Sequence, residues 1–210
     1  MANQIDFVGS VSGIQGRCGA PTGFDSNHEG HSGWEAYNIA QNNIANWMTQ
    51  SKPEVVQVLL GTNDINIGKR PAASIIGAYT SLVQKMRAAN PNVVIVVRFM
   101  NLILPVSWPL KAGAKIMTNG VFPSQFDEII PMRWDDATAA QVNNQIPAWV
   151  QQHNSTESPI YLVDTTRGFE KSMLQGDGVH PNTQGDQVIA DRVAPLIIEA
   201  VNLVLARRSS

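Results

Sequence analysis

The sequence predicts an α/β fold in which a parallel β-sheet lies between two layers of helices. Short runs of aliphatic and β-branched residues, suited to strands buried on both faces, alternate with longer segments of helical periodicity. This alternation predicts right-handed crossovers, and therefore a three-layer α/β/α arrangement. The 210 residues, 43% of them hydrophobic, indicate a single domain over residues 1–210.

Four runs have the composition of buried strands, and segments of helical periodicity separate them. The strands are predicted at Ile5–Val8, Glu54–Leu60, Val93–Phe99 and Ile160–Asp164. We expect the last three to be parallel neighbours in one sheet. Two helices are predicted before the third strand. One has Trp34, Tyr37, Ile44 and either Trp47 or Met48 on one face, and the other has Ile75, Ile76, Tyr79, Leu82, Val83 and Met86.

Two long segments, residues 9–33 and 105–134, fit neither pattern. Loops of this length in a compact domain are usually functional or disordered. The aromatic residues of the second segment, including Trp108 and Trp134, argue against disorder. We predict that this segment forms the wall or lid of a pocket; the alternative is an ordered surface excursion with its own apolar cluster.

Composition and charge argue against several classes of protein. The 15 basic and 17 acidic side chains form no basic block, so nucleic acid is not an expected partner. No apolar run approaches the roughly 20 residues that span a bilayer, and the N-terminus lacks the pattern of a signal peptide. The single cysteine, Cys18, excludes an intrachain disulfide.

Polar residues follow the predicted strands, at the sheet edge where α/β proteins collect ligands. Gly9-Ser10 follows the first strand, and Gly61-Thr62-Asn63-Asp64 follows the second. Past the fourth, the spacing of Asp177 and His180 lets a carboxylate orient an imidazole and leave Nε2 as a general base. The Asn63 amide can donate to an oxyanion. Each motif alone also fits an ordinary turn or helix cap.

The segment Asn-His-Glu-Gly-His-Ser-Gly-Trp, residues 27–34, precedes the first helix. Its Gly33 can offer a backbone N–H to an anion at the helix start. His28 and His31 also raise the hypothesis of a metal site. Their spacing is not the HExxH arrangement and no third ligand is evident, so we do not expect a metal.

In order along the chain, the stretches His-Glu-Gly-His-Ser-Gly-Trp, Leu-Leu-Gly-Thr-Asn-Asp-Ile and Asp-Gly-Val-His-Pro-Asn resemble the SGNH (GDSL-type) hydrolase superfamily. Within it they look like carbohydrate esterase family 3, whose members include acetylxylan esterases. The resemblance extends from about Ile5 to Leu205. It implies a flavodoxin-like fold with a five-stranded parallel sheet, ester hydrolysis, no metal or organic cofactor, and a secreted protein.

The resemblance assigns roles to four residues. Gly33 matches the glycine whose N–H helps to form the oxyanion hole, and Asn63 matches the oxyanion-hole asparagine. Asp177 and His180 match the acid and the base of the catalytic triad. The family's nucleophile motif, Gly-Asp-Ser, is absent from this chain, and Ile-Asp-Phe-Val-Gly-Ser looks like the family's second strand rather than its first.

The sheet is therefore expected to be one strand short at its centre, and three arrangements stay open. The first strand shifts inward beside Glu54–Leu60 and brings Ser10 to the nucleophile's place; a second copy donates a strand, which makes a dimer; or the chain is an inactive derivative. Ser26, Ser32 and Cys18 are weaker candidates for the nucleophile.

We predict a serine esterase that removes acetyl or other short acyl groups from a carbohydrate or a similar small ester. Ser10 attacks the carbonyl, His180 is the base and Asp177 orients it. The N–H groups of Ser10 and Gly33 and the Asn63 amide hold the oxyanion.

Trp108 and Trp134 are candidates to stack on the sugar. The alternative function is a catalytically impaired SGNH-like protein that binds carbohydrate or a protein partner. A metal-dependent hydrolase using His28 and His31 is a third hypothesis.

Overall fold

The computed structural model describes residues 5–12, 25–98, 115–118, 137–165, 168–176, 178 and 180–209. Within these residues, the strands are β1 (Asp6–Val8), β2 (Val11–Ser12), β3 (Asn27–His28), β4 (Val55–Val58), β5 (Val94–Arg98), β6 (Lys115–Thr118) and β7 (Ile160–Val163). The α-helices are α1 (Ala36–Asn42), α2 (Ile44–Ser51), α3 (Thr62–Asn66), α4 (Ala72–Ala89), α5 (Ala137–His153) and α6 (Thr183–Arg208). A short 3₁₀ helix covers Lys171–Met173.

Five strands form one parallel sheet in the order β1-β6-β4-β5-β7. Val56 pairs with Ile95 across β4 and β5, and Ile95 pairs with Ile160 of β7. The expectation that these three predicted strands are parallel neighbours is therefore confirmed. A separate antiparallel pair joins β2 to β3 and holds Val11 opposite His28.

The two faces of the central strands pack against different helices, because successive strand side chains point to opposite sides. Val56 and Val58 of β4, with Ile95 and Val97 of β5, join the core formed with α1, α2, α4 and α5. Val55, Val94 and Val96 join the opposite core, which α6 covers. The predicted three-layer arrangement is confirmed.

The place between β1 and β4 is filled by β6, which lies in the segment that we predicted as a pocket wall or lid. Asp6–Val8 pairs with Lys115–Met117 on one side of β6, and Val55–Gln57 pairs with Ile116–Thr118 on the other. A vacant place there would leave two rows of backbone donors and acceptors unpaired. The first strand therefore stays at the sheet edge, the sheet is not a strand short, and this place takes no donated strand.

The first predicted helix differs from the observed structure in its boundaries and in the face it buries. The chain turns at Asn43 and forms two helices, α1 and α2. Ile44 and Trp47 are buried as expected. Trp34 and Tyr37 are 40% and 37% exposed, because Trp34 precedes the helix and α1 buries a different face.

Helix α4 buries the predicted stripe, Ile75, Tyr79, Leu82, Val83 and Met86, with Ile76 partly buried. Among the described helices, none combines the length and apolar character needed to cross a membrane.

Candidate active site

The end of β1 is fixed against the His28–His31 segment through the carboxylate of Glu29. The Ser10 backbone N–H donates to Glu29 Oε2 at 2.8 Å, and the Ser10 hydroxyl donates to Oε1. His31 Nε2 lies 2.7 Å from the same Oε1, and Glu29 is only 1% exposed. Gly9 allows this approach, because a Cβ there would lie 2.0 Å from the His28 carbonyl oxygen.

His31 also belongs to a cluster of three stacked rings. Its ring centroid lies 4.4 Å from Trp34 and 4.8 Å from Trp47, and the two indoles are 5.9 Å apart. Trp47 is buried, whereas Trp34 reaches solvent. Glu29 and the two indoles therefore hold the His31 ring in one orientation.

The structure brings Gly33 and Asn63, the two predicted oxyanion-hole residues, into neighbouring positions. Asn63 Nδ2 donates to the carbonyl oxygen of Trp34, the residue after Gly33, at 3.0 Å. Asn63 sits in the first turn of α3, directly after the Gly61 turn that ends the β4 segment. Gly33 has φ of +78°, a left-handed conformation that favours glycine.

The carboxylate of Asp64 also links the start of α3 to the start of α1. Its carboxylate accepts from the N–H groups of Ala36 at 2.6 Å and Tyr37 at 3.0 Å, and so satisfies two donors at the start of α1. Complete burial raises the pKa of Asp64, while the hydrogen bonds from Tyr37 and Ala36 act in the opposite direction. The sequence suggested Asp64 only as a turn residue.

Two backbone contacts between neighbouring segments fix the chain at His180. The His180 carbonyl accepts from Gln175 N–H at 2.6 Å, and Leu174 forms an antiparallel bridge with Pro181. Asn182 then caps α6 by accepting from the N–H groups of Gln184 and Gly185. Asp177, the predicted partner of His180, lies outside the described residues, as do Trp108, Trp134 and Cys18.

Ser10 and His180 follow strands at opposite edges of the sheet. Four strand spacings separate β1 from β7, or about 19 Å at about 4.8 Å each. The described hydrogen bonds of the Ser10 hydroxyl go to Glu29. The inward shift of the first strand, on which the placement of Ser10 beside His180 depended, does not occur.

The histidines of the metal hypothesis are engaged in hydrogen bonds within the protein. His28 Nδ1 accepts from the Gly30 N–H at 2.9 Å, and His31 bonds Glu29. In the part of the chain that the structure describes, no three histidine, cysteine or acidic side chains are grouped to hold a metal ion.

Sequence reasoning missed a buried arginine at the end of β5, whose charge acts on Asp186. Arg98 is fully buried, and burial lowers its pKa to about 9, so it stays charged at neutral pH. Burial also raises the pKa of Asp186, in the first turn of α6, to about 7, while the charge of Arg98 opposes this rise. An arginine inside an otherwise apolar run was the signal in the sequence.

Comparison with known proteins places these motifs in a family. The profile of the GDSL-like lipase/acylhydrolase family matches residues 9–188. No curated protein sequence gives a significant match.

Two solved structures share 46% identity with this chain. The first is an acetyl esterase mutant with an acetate ion, with a TM-score of 0.77 over 95% of this chain and 83% of that one. The second, a carbohydrate esterase family 3 protein from Talaromyces cellulolyticus, has a TM-score of 0.76 and covers 94% and 82%.

A family 3 carbohydrate esterase from Clostridium thermocellum is 27% identical, with a TM-score of 0.63 over 94% and 80% of the two chains. The resemblance seen in the sequence is thus confirmed over nearly the whole chain. The chain belongs to the GDSL-like lipase/acylhydrolase family and is structurally similar to carbohydrate esterases of family 3.

Proposed function

We propose that the protein is a carboxylic ester hydrolase that removes acetyl groups from a carbohydrate. The hydrogen bond from Asn63 Nδ2 to the Trp34 carbonyl is the observation that supports this proposal, because Trp34 is the residue after Gly33. One N–H of the amide fixes its position, and the second can donate to an oxyanion. An acetyl esterase and a family 3 carbohydrate esterase, each 46% identical to this chain, support the substrate class.

In this proposal, a nucleophile attacks the acetyl carbonyl and its proton passes to His180, which Asp177 orients. Gly33 N–H and the Asn63 amide hold the negative charge that develops on the carbonyl oxygen. Collapse of the intermediate breaks the bond to the sugar oxygen, which takes the proton from His180. Water then attacks the acyl-enzyme by the same route and releases acetate.

Ser10 is the nucleophile that the sequence favours, but its N–H, which the sequence analysis assigned to the oxyanion hole, donates to Glu29 Oε2 at 2.8 Å. Its hydroxyl is hydrogen-bonded to Glu29. Because β1 and β7 lie at opposite edges of the sheet, rotation of the Ser10 side chain away from Glu29 is not sufficient for catalysis, and the segments that carry Ser10 and His180 would also have to approach each other.

The Ser10–Glu29 hydrogen bond also favours a second candidate function, a catalytically impaired member that binds carbohydrate or a protein partner. In such a protein, Ser10 holds the Glu29 carboxylate in position and takes no part in a reaction. The absence of a Gly-Asp-Ser motif from this chain agrees with that role.

Turnover of p-nitrophenyl acetate, and acetate release from acetylated xylan, separate the two functions. For an esterase, His180→Ala should lower kcat/KM at least a thousand-fold, and Asn63→Ala about a hundred-fold or more. Asn66→Ala, in the same short helix, is the matched control and should retain activity. A wild-type rate equal to the buffer rate would rule out the esterase and leave the binding protein.

A further inference from the structure

We propose that Asn154 is an acceptor site for N-glycosylation and takes its oligosaccharide from a lipid-pyrophosphate donor. Asn154-Ser155-Thr156 is the single Asn-X-Ser/Thr sequence of the chain, the pattern that this transfer requires. None of its residues takes part in the proposed ester hydrolysis. The modification needs entry into a secretory pathway but no esterase activity, so the two proposals are tested separately.

The acceptor sequence lies in the turn between α5 and β7. Helix α5 ends at His153, and β7 begins at Ile160. Asn154 and Thr156 are both exposed to solvent. A glycan is bulky and hydrophilic, so its acceptor must lie on the surface of the folded protein, and this turn meets that requirement.

The hydrogen bond of the Asn154 side chain fixes the direction of its amide nitrogen. Asn154 Oδ1 accepts from the backbone N–H of Ile160 at 2.8 Å. A backbone N–H can only donate, so the side-chain atom that faces it must be the oxygen. The nitrogen of the same amide therefore points away from β7, on an exposed side chain.

Glycosylation at this nitrogen is compatible with the observed turn. Asn154 Nδ2 attacks the anomeric carbon of the N-acetylglucosamine at the reducing end of the donor, and a C–N bond forms. The bond from that carbon to the pyrophosphate oxygen breaks, Nδ2 loses one proton, and lipid pyrophosphate leaves without any change of oxidation state. Because Oδ1 is not altered, glycosylated Asn154 can keep its hydrogen bond to Ile160.

The contacts of the turn leave the hydroxyl of Thr156 without a structural role among the described residues. The buried Ser158 donates its hydroxyl to the Val93 carbonyl at 2.5 Å, and its N–H donates to Ser155 Oγ at 3.1 Å. Thr156 is held through its backbone carbonyl, which accepts from Arg207 at 2.8 Å. The acceptor sequence gives the Thr156 hydroxyl a purpose, because it requires a hydroxyl two residues after the asparagine.

A glycan on Asn154 lies at the end of the sheet opposite the candidate active site. The strands of the main sheet are parallel, so all of them begin at one end, where Ser158 joins the start of β7 to the start of β5. Asn63 follows the other end of β4. The five residues of β5 span about 16 Å at about 3.3 Å each. The oligosaccharide therefore leaves the strand ends near Asn63 open to substrate.

Secretion of the full chain from a yeast host, behind a cleavable leader, tests the assignment with the host's own oligosaccharide donor. The measurement is the intact mass before and after digestion with peptide N-glycosidase F, and protein retained in the cell is treated in the same way. The wild type should carry the added mass of N-acetylhexosamines and hexoses. Digestion should remove this mass and convert the Asn154 amide to a carboxylate.

Four variants separate the acceptor role from the structural role of the turn. Asn154→Asp keeps an oxygen acceptor for Ile160 and Thr156→Val keeps the shape of threonine, but both should lose the added mass completely. Ser155→Ala loses the bond from Ser158 yet keeps the acceptor sequence, as Thr156→Ser does. Both of these should retain the added mass, Thr156→Ser in a smaller fraction of the molecules.

Transfer takes place as the chain enters the secretory pathway, so a variant that folds poorly still reports it. The proposal is overturned if wild-type protein from the yeast host has the mass of the bare polypeptide. It is equally overturned if the added mass persists in Asn154→Asp and Thr156→Val, because the glycan would then be attached elsewhere.

Discussion

Replacing Ser10 by alanine should lower the stability of the protein, although the serine side chain is exposed. The substitution removes the hydroxyl that donates to Glu29 Oε1. Glu29 is buried and keeps two partners, the Ser10 backbone N–H at 2.8 Å and His31 Nε2 at 2.7 Å. A hydrogen bond to a charged group contributes about 1.5–3 kcal/mol, so we expect a loss of about 2 kcal/mol.

Urea unfolding at neutral pH and thermal melting measure this loss. For a chain of this length, about 2 kcal/mol corresponds to a decrease in Tm of roughly 4–8 °C. Ser12→Ala is the matched control, since Ser12 is an exposed serine two residues away in β2, and it should change stability by less than about 0.5 kcal/mol. The reasoning is refuted if Ser10→Ala and Ser12→Ala unfold at the same urea concentration.

The activity of the same variant reports the chemical role of Ser10. Loss of a nucleophile lowers turnover by orders of magnitude. If Ser10 only holds the side chains of Glu29 and His31 in position, its substitution should lower turnover no more than several-fold, because those two side chains become less ordered. The two measurements on one protein thus separate nucleophile from brace.

Substitutions at three further residues test other parts of the structure. Asp64→Ala should cost about 3 kcal/mol in urea unfolding, because the N–H groups of Ala36 and Tyr37 lose a charged acceptor; an unchanged midpoint would contradict the observed bonds. Asn182→Ala should cost about 1–2 kcal/mol by uncapping α6, whereas Asn182→Asp keeps the capping acceptor but loses the Nδ2 donors to the Ser172 and Leu174 carbonyls and should restore only part of the loss; an unchanged midpoint in Asn182→Ala would argue against capping. Burial raises the pKa of Asp186 from 3.8 to about 7, so wild-type stability should fall as pH rises through that range. Asp186→Asn should therefore gain stability relative to the wild type between pH 5 and pH 8, and a pH-independent difference would contradict this.

Local pattern was sufficient where a single physical requirement dominated. The strands over Val55–Val58 and Val94–Arg98 are buried on both faces, and continuous apolar β-branched sequence is what such strands need. The periodicity of apolar residues likewise predicted which face of helix α4 is buried. Gly33 and Asn63 could be paired in advance only because their motifs matched a known family.

Strand β6 shows where local pattern could not suffice. Lys115–Thr118 lies in a segment without strand periodicity, and its pairing partners, β1 and β4, are distant in sequence. The backbone donors and acceptors of β1 and β4 that face this position need hydrogen-bond partners, and β6 supplies them whatever its side chains are. That requirement exists only once the other strands have assembled.

The sequence alone determined three things. They are the layered α/β fold, the helices that connect the central strands, and the residue types at the strand ends. The tertiary structure decided which of those residues meet. Ser10 bonds Glu29, Asn63 bonds the Trp34 carbonyl, and Trp34 stays exposed because α1 begins two residues after it. Hydrophobic periodicity is a property of neighbouring residues, whereas a hydrogen bond between segments depends on where folding places both of them.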